Sequence, residues 1–175
     1  AEACTIAKEN GLAFHSDAIQ AVGKIPVNVR EVPVDFLSLS AHKFHGPKGV
    51  GALYIRSGCR FEPLLRGGGQ EKDRRSGTEN TAAIVGLGKA AELAAGRSME
   101  AVGELRDAFE SIVLREVSGS EANGDPAHRL PNTSHLSFEQ CEAAGLLILL
   151  DDLGVACSAG SACMTGKQQP SHVQK

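Results

Sequence analysis

The chain has 175 residues, a formal net charge of -3 and 42% hydrophobic residues, which argues against nucleic acid or an anionic membrane as its main partner. It contains no basic run, no signal peptide and no apolar stretch long enough to span a bilayer. Its five cysteines, an odd number at scattered positions, fit free thiols in a reducing cytoplasm rather than a disulfide framework.

The opening "AEACTIAKEN" reads as the tail of a helix without a start signal, and "QQPSHVQK" stops just after a proline that would open a new element. Both ends read as those of an internal piece of a longer protein. "GLAFHSDA" (11–18) predicts a short strand ending in polar residues. A turn-rich connection with two prolines (19–34) leads to a second strand, "DFLSLS" (35–40), and "GVGALYI" (49–55) predicts a third. Between these two, "AHKFHGPK" is a Gly/Pro turn that folds them back on each other.

"LLRGGGQEKDRRSGTEN" (64–80) is a polar, glycine-rich loop. Residues 81–95 predict an alanine-rich helix with Ile84, Val85, Leu87 and Leu93 on a helical period. A second helix starts near Ser98 as N-cap, with Met99, Val102, Leu105, Phe109 and Ile112 as its apolar face. Beyond it, 129–139 reads as a strand, 142–153 as a buried helix stopped by Gly154, "VAC" (155–157) as a short strand and 158–171 as a loop of small residues. Strands and helices together indicate an α/β class. A break near residue 97 divides the chain into residues 1–96 and 97–175, although a single domain with a long helix pair fits nearly as well.

Lys43 lies between two apolar runs at a strand end, beside His42 and His45, with glycines just beyond. Asp17 ends the strand before it. In open α/β sheets ligands sit beyond the carboxyl ends of strands, so these two ends would place a carboxylate and an amine at one crevice. An aromatic nitrogen cofactor carrying an aldehyde would use both: the amine bonds to the aldehyde, and the carboxylate keeps the ring nitrogen protonated. Two unit charges ~3 Å apart at an effective dielectric of ~20 interact by about 5 kcal/mol, enough to hold that proton at neutral pH. The bland alternative, a capping aspartate and a solvated lysine, is the commoner fate of any Asp–Lys pair taken blind.

Ser40 and His42 are candidate donors to a cofactor phosphate; in isolation each is more often a strand hydroxyl and a core histidine. The His42/His45 pair lacks a cysteine or carboxylate at zinc spacing, so no metal is expected. "HGPKG" lacks the spacing of a nucleotide phosphate loop. Cys163, in "SAGSACMTG", is a thiol on a loop of small side chains that can meet two partners in turn, whereas Cys157 ends an apolar run and reads as a packed residue. At its reference pKa a cysteine is only ~3% thiolate at pH 7, so the surroundings of Cys163 must assist its ionisation. Cys4, Cys59 and Cys141 read as structural or incidental.

"FHSDAIQAVGK", "SLSAHKFHGPKGVGALYI", "RSGTEN", "LPNTSHLSFE" and "SAGSACMTG…PSHV" together resemble, in order and spacing, the cysteine desulfurases of the NifS/IscS type. The resemblance covers nearly the whole chain. It implies the fold of the PLP-dependent (pyridoxal 5'-phosphate) transferases of fold type I: part of the large-domain sheet in 1–96, and in 97–175 part of a smaller α+β C-terminal domain bearing the cysteine loop. It implies that Lys43 bonds the cofactor and that Asp17 holds the pyridine nitrogen. It further implies that Gln20 lies near the ring hydroxyl and that Ser40 and His42 bind the phosphate. By the same resemblance Thr78 would reach the phosphate of a partner subunit's cofactor, which implies a homodimer. Cys163 would take sulfur from L-cysteine as a persulfide, leaving L-alanine, and would pass it to an iron–sulfur scaffold or other acceptor protein.

The chain departs from the family pattern in three respects. Nothing matches its glycine–threonine phosphate loop, its ring-stacking histidine, or its asparagine beside the ring hydroxyl. The arginine for the substrate carboxylate falls beyond residue 175. Met164, Lys167 and Gln168 stand where small or acidic residues are usual. A selenocysteine lyase, another fold-type I lyase or aminotransferase, and an inactive truncated piece are the alternatives.

Overall fold

The computed structural model describes residues 2–160; Cys163 and its loop lie outside them. In chain order the elements are α1 (Glu2–Glu9), β1 (His15–Asp17), β2 (Phe36–Ser40), a 3-10 helix (Ala41–Phe44), β3 (Gly51–Ile55), the short turn α2 (Gln70–Asp73), α3 (Thr81–Ala95), α4 (Glu100–Glu116), β4 (Ser120–Ala122), β5 (Leu136–Phe138) and α5 (Ala143–Asp152). They divide into two compact units, one of residues 1–109 and 125–133, the other of 110–124 and 134 onward.

In the first unit, β1, β2 and β3 form a sheet in that order. β1 runs parallel to β2 with Asp17 opposite Ser38, and β3 returns antiparallel with Gly51 opposite Ser40. The period of two in "FLSLS" explains why the sheet has unlike faces. Leu37 and Leu39 point to the core, where Ala18, Val34 and Leu37 are packed by Phe14, Ala21, Val22 and Tyr54. His15, Asp17, Ser38 and Ser40 share the opposite face, along with Phe36, Leu53 and Ile55. Asp35 ties β1 to β2, because its Oδ2 accepts from Phe14 N at 2.9 Å while its own N–H donates to Phe14 O at 3.0 Å.

A second cluster holds the 3-10 helix. Ala41, Phe44 and Ala90 are buried together, and Leu87, Ala91 and Ala94 of α3 close around them. Small residues permit this approach: a Cβ on Gly46 would lie 2.8 Å from Ala41 Cβ, and one on Gly86 would lie 2.6 Å from Pro47 Cγ. The helix forms over 81–95 as expected; of the residues on its helical period Leu87 packs against this cluster, while Ile84, Val85 and Leu93 are exposed. The helix begins where Asn80 Oδ1 accepts from Ala83 N. Likewise Leu105, Phe109 and Ile112 of α4 are exposed rather than forming its packed face. Ser98 is where the N-terminal bond of α4 was expected, its Oγ accepting from Glu100 N at 3.2 Å.

In the second unit, β4 and β5 pair antiparallel with Glu121 opposite Ser137. The strand expected over 129–139 is reduced to Leu136–Phe138. Pro131 has no N–H to donate, and a turn closes from Thr133 N to Leu130 O. α5 is capped by the Glu142 carboxylate, which accepts from Ala144 N and Gly145 N, and it ends before Gly154 at φ 78°. None of its residues is buried, so it is a helix as expected but not a buried one among the described residues. Residues 155–157 form no strand, and Cys157 is exposed, which removes the packing expected for it.

Candidate active site

Parallel pairing decides where the chemistry gathers. Because β1 and β2 run the same way, their carboxyl ends lie at one edge of the sheet. Asp17 is the last residue of β1, Ser40 the last of β2, and the 3-10 helix bearing His42 and Lys43 begins at the next residue. Ala18 N–H donates to Ser38 O at 2.9 Å, which fixes the two ends side by side.

Each group is oriented locally. Asp17 Oδ1 accepts from Ile19 N at 2.9 Å, a side-chain turn that holds the carboxylate at the strand end. A carboxylate has about four acceptor positions, so Asp17 retains capacity for an aromatic N–H. Ser40 stands at the N-cap of the 3-10 helix without capping it; its Oγ instead meets His42 Nδ1 at 2.8 Å. Lys43 is half-buried and His42 exposed, between buried Ala41 and Phe44. The helix closes at His45, in the left-handed region at φ 69°, and Gly46 N–H donates to Ala41 O at 2.8 Å.

Gln20 lies in the turn after β1, where its backbone and side-chain oxygens both accept from Lys24 Nζ at 2.9 Å. Burial first, and then the charge of Lys43, hold the Lys24 pKa below its ordinary value. Thr78 lies elsewhere, on a cleft of about 280 Å³ that Gly49, Gly51, Arg75 and Gly77 also line. The cap of the following helix, α3, comes from Asn80, two residues after Thr78.

Two residues near these groups escaped the sequence reading. His15 stands two residues before Asp17 on the same sheet face, and its Nε2 meets Ser38 Oγ at 2.7 Å. A period of two was the signal for it. Lys24 bonds Gln20 from four residues on, a spacing that means little until the turn's shape is known.

The family model described as Aminotransferase class-V matches residues 1–175. The chain belongs to the aminotransferase class-V family. This class-V chain is 52% identical over 168 residues to a cysteine desulfurase of Cereibacter sphaeroides, covering 96% of the chain and 43% of that relative. It therefore spans less than half the length of the curated relative it matches. Among solved structures, a NifS-like protein of Rickettsia africae superposes with a TM-score of 0.83 at 34% identity, covering 91% of this chain and 45% of the other. A structure described as SspA in complex with cysteine gives 0.74 at 36% identity, covering 97% and 47%. The fold is thus that of the NifS-like, fold type I proteins, as the sequence motifs led us to expect.

The donor set fits the pyridoxal 5'-phosphate of this class-V family. A carboxylate suits a ring nitrogen, a paired hydroxyl and imidazole suit a phosphate, and a primary amine suits an aldehyde. Among the described residues no group of three or more His, Cys, Asp or Glu residues is placed to hold a metal ion. No helix among the described residues is long and apolar enough to cross a membrane.

Proposed function

We propose that the whole protein is a pyridoxal 5'-phosphate-dependent cysteine desulfurase that moves sulfur from L-cysteine to Cys163. The observation that carries this reading is the parallel β1–β2 register, which sets Asp17, Ser40 and the helix of His42 and Lys43 at one sheet edge. The names of relatives at about half identity and the cysteine complex of a similar structure support it.

When bound, the cofactor supplies an aldehyde for covalent capture of an amine and a ring that accepts electrons. Asp17 holds the proton on the ring nitrogen. Ser40 and His42 orient the phosphate, and Gln20 donates to the ring oxygen. Lys43 holds the cofactor at rest, then takes the Cα proton of L-cysteine as a general base and returns it to Cα before the product leaves. The Cys163 thiolate attacks the substrate sulfur. The sulfur's bond to Cβ breaks with its electron pair left on carbon, a proton replaces it, and L-alanine leaves Cys163 as a persulfide.

Thr78 serves the phosphate site of a second copy, so the protein works as a homodimer; its exposure supports this role, as does the capping of α3 by Asn80 rather than by Thr78. The acceptor of the persulfide is an iron–sulfur scaffold or another sulfur-carrying protein. A cytoplasmic location accords with the free thiols of Cys4, Cys59, Cys141 and Cys157. In this reading residues 1–96 belong to the large cofactor domain and 97–175 to a small domain with the cysteine loop.

The test is made on full-length protein. It should show a visible absorbance band that borohydride abolishes, and it should release alanine from L-cysteine. Lys43→Ala and Lys43→Arg should each lose the band and nearly all turnover, since guanidinium stays protonated. Turnover retained in either variant would defeat the assignment.

A further inference from the structure

Gly23 has φ +78°, and a Cβ built there would lie 2.8 Å from Phe44 Cβ and 3.3 Å from Ala94 Cβ. The turn after β1 is thus seated directly on the 3-10 helix, at the residue next to Lys43. Lys24 follows Gly23, and its ammonium donates to both Gln20 O and Gln20 Oε1 at 2.9 Å. An ammonium has donors only, so the amide atom facing it must be the oxygen. The amide's NH₂ end is then the end left to donate to a ligand.

We propose that Lys24 is a positioning residue that locks the Gln20 amide as a hydrogen-bond donor toward an anionic aryl oxygen of the bound cofactor. This rests on the proposed function. Without Lys24 the amide flips freely, and half of its orientations present an oxygen to an oxygen. The charge of Lys43 reaches Lys24 and, after burial, lowers its pKa, which agrees with Lys24 lying at the site's margin rather than in open solvent.

The experiment is a double-mutant cycle on full-length protein, titrating apoprotein with pyridoxal 5'-phosphate and reading the dissociation constant from the visible band. Lys24→Met should weaken binding about 2-fold, the cost of confining an amide with two equal orientations to the competent one, and Lys24→Arg should restore most of it. In a Gln20→Ala background, Lys24→Met should change nothing further. A merely structural lysine would weaken binding equally in both backgrounds, and that result overturns the proposal. Wild-type affinity in Lys24→Met overturns it as well, while wild-type protein that binds no cofactor removes the proposed function and this inference together.

Discussion

Adding one methyl group at Gly86 and at Gly88 sets two opposing effects against each other within α3. In a helix interior, alanine is better than glycine by about 0.8–1.0 kcal/mol, so both substitutions start with the same gain. At Gly88 no heavy atom lies within 4 Å of the added Cβ, and the gain should survive. At Gly86 the Cβ would lie 2.6 Å from Pro47 Cγ and 3.1 Å from Cδ, and a proline ring cannot rotate aside. Overpacking of this kind costs roughly 1–3 kcal/mol, which cancels or exceeds the gain. The two variants should therefore differ by about 1–3 kcal/mol, with Gly86→Ala the weaker. Urea unfolding of full-length protein followed by far-ultraviolet circular dichroism measures this as a shift in midpoint at constant slope. Equal upward shifts of both midpoints would show that α3 does not press on the loop following Lys43.

Asn80→Ala should lower stability by about 1 kcal/mol in the same assay through loss of the α3 cap, without changing the visible band. Asp35 has a pKa held below its ordinary value, chiefly by the hydrogen bond from Phe14 N. A depressed carboxylate contributes stability that is fully present above its unfolded pKa of about 3.9 and is lost as pH falls through the lower folded value. Asp35→Asn should flatten the acid limb of the stability profile below about pH 4, and an unchanged limb would refute its role as the clamp between β1 and β2. Cys163→Ala should leave the cofactor band intact but abolish the added sulfur seen by mass spectrometry after one turnover; sulfur found on Cys157 instead would reverse the assignment.

What could be foreseen from the residues follows a physical division. β2 and β3 were legible because "FLSLS" alternates and the Gly/Pro turn after it dictates antiparallel return. α3 was legible over 81–95 because helical periodicity and the change in composition bound it on both sides. Which face would pack was not legible. Large apolar residues suggest a core, yet Ala83 and Ala90 are buried while Val85 is exposed, because the 3-10 helix comes too close for larger side chains. The stripe of Leu105, Phe109 and Ile112 announces an apolar face but not what covers it. β4, with the sequence Ser-Glu-Ala, has no pattern of its own and exists through pairing with β5. At the site, Asp17, Ser40, His42 and Lys43 were visible as strand-end residues. The period of two offered His15 as well, but its bond to Ser38, like that of Lys24 to Gln20, depends on a register or turn that only the folded backbone supplies.

The 3-10 helix separates two kinds of constraint within four residues. Ala41, at 0% exposure, and Phe44, at 4%, carry the packing, while His42 and Lys43 between them are less buried and bear the groups that the proposed function assigns to the cofactor. On that reading, changing either middle residue removes chemistry at little cost to folding. Changing either outer residue disturbs the scaffold before it touches the reaction. Under the proposed function, lesions at His42 or Lys43 therefore persist as folded but silent proteins, invisible to quality control that senses only unfolding. The same separation leaves the frame free to acquire a different reaction at two positions while its stability is held by their neighbours.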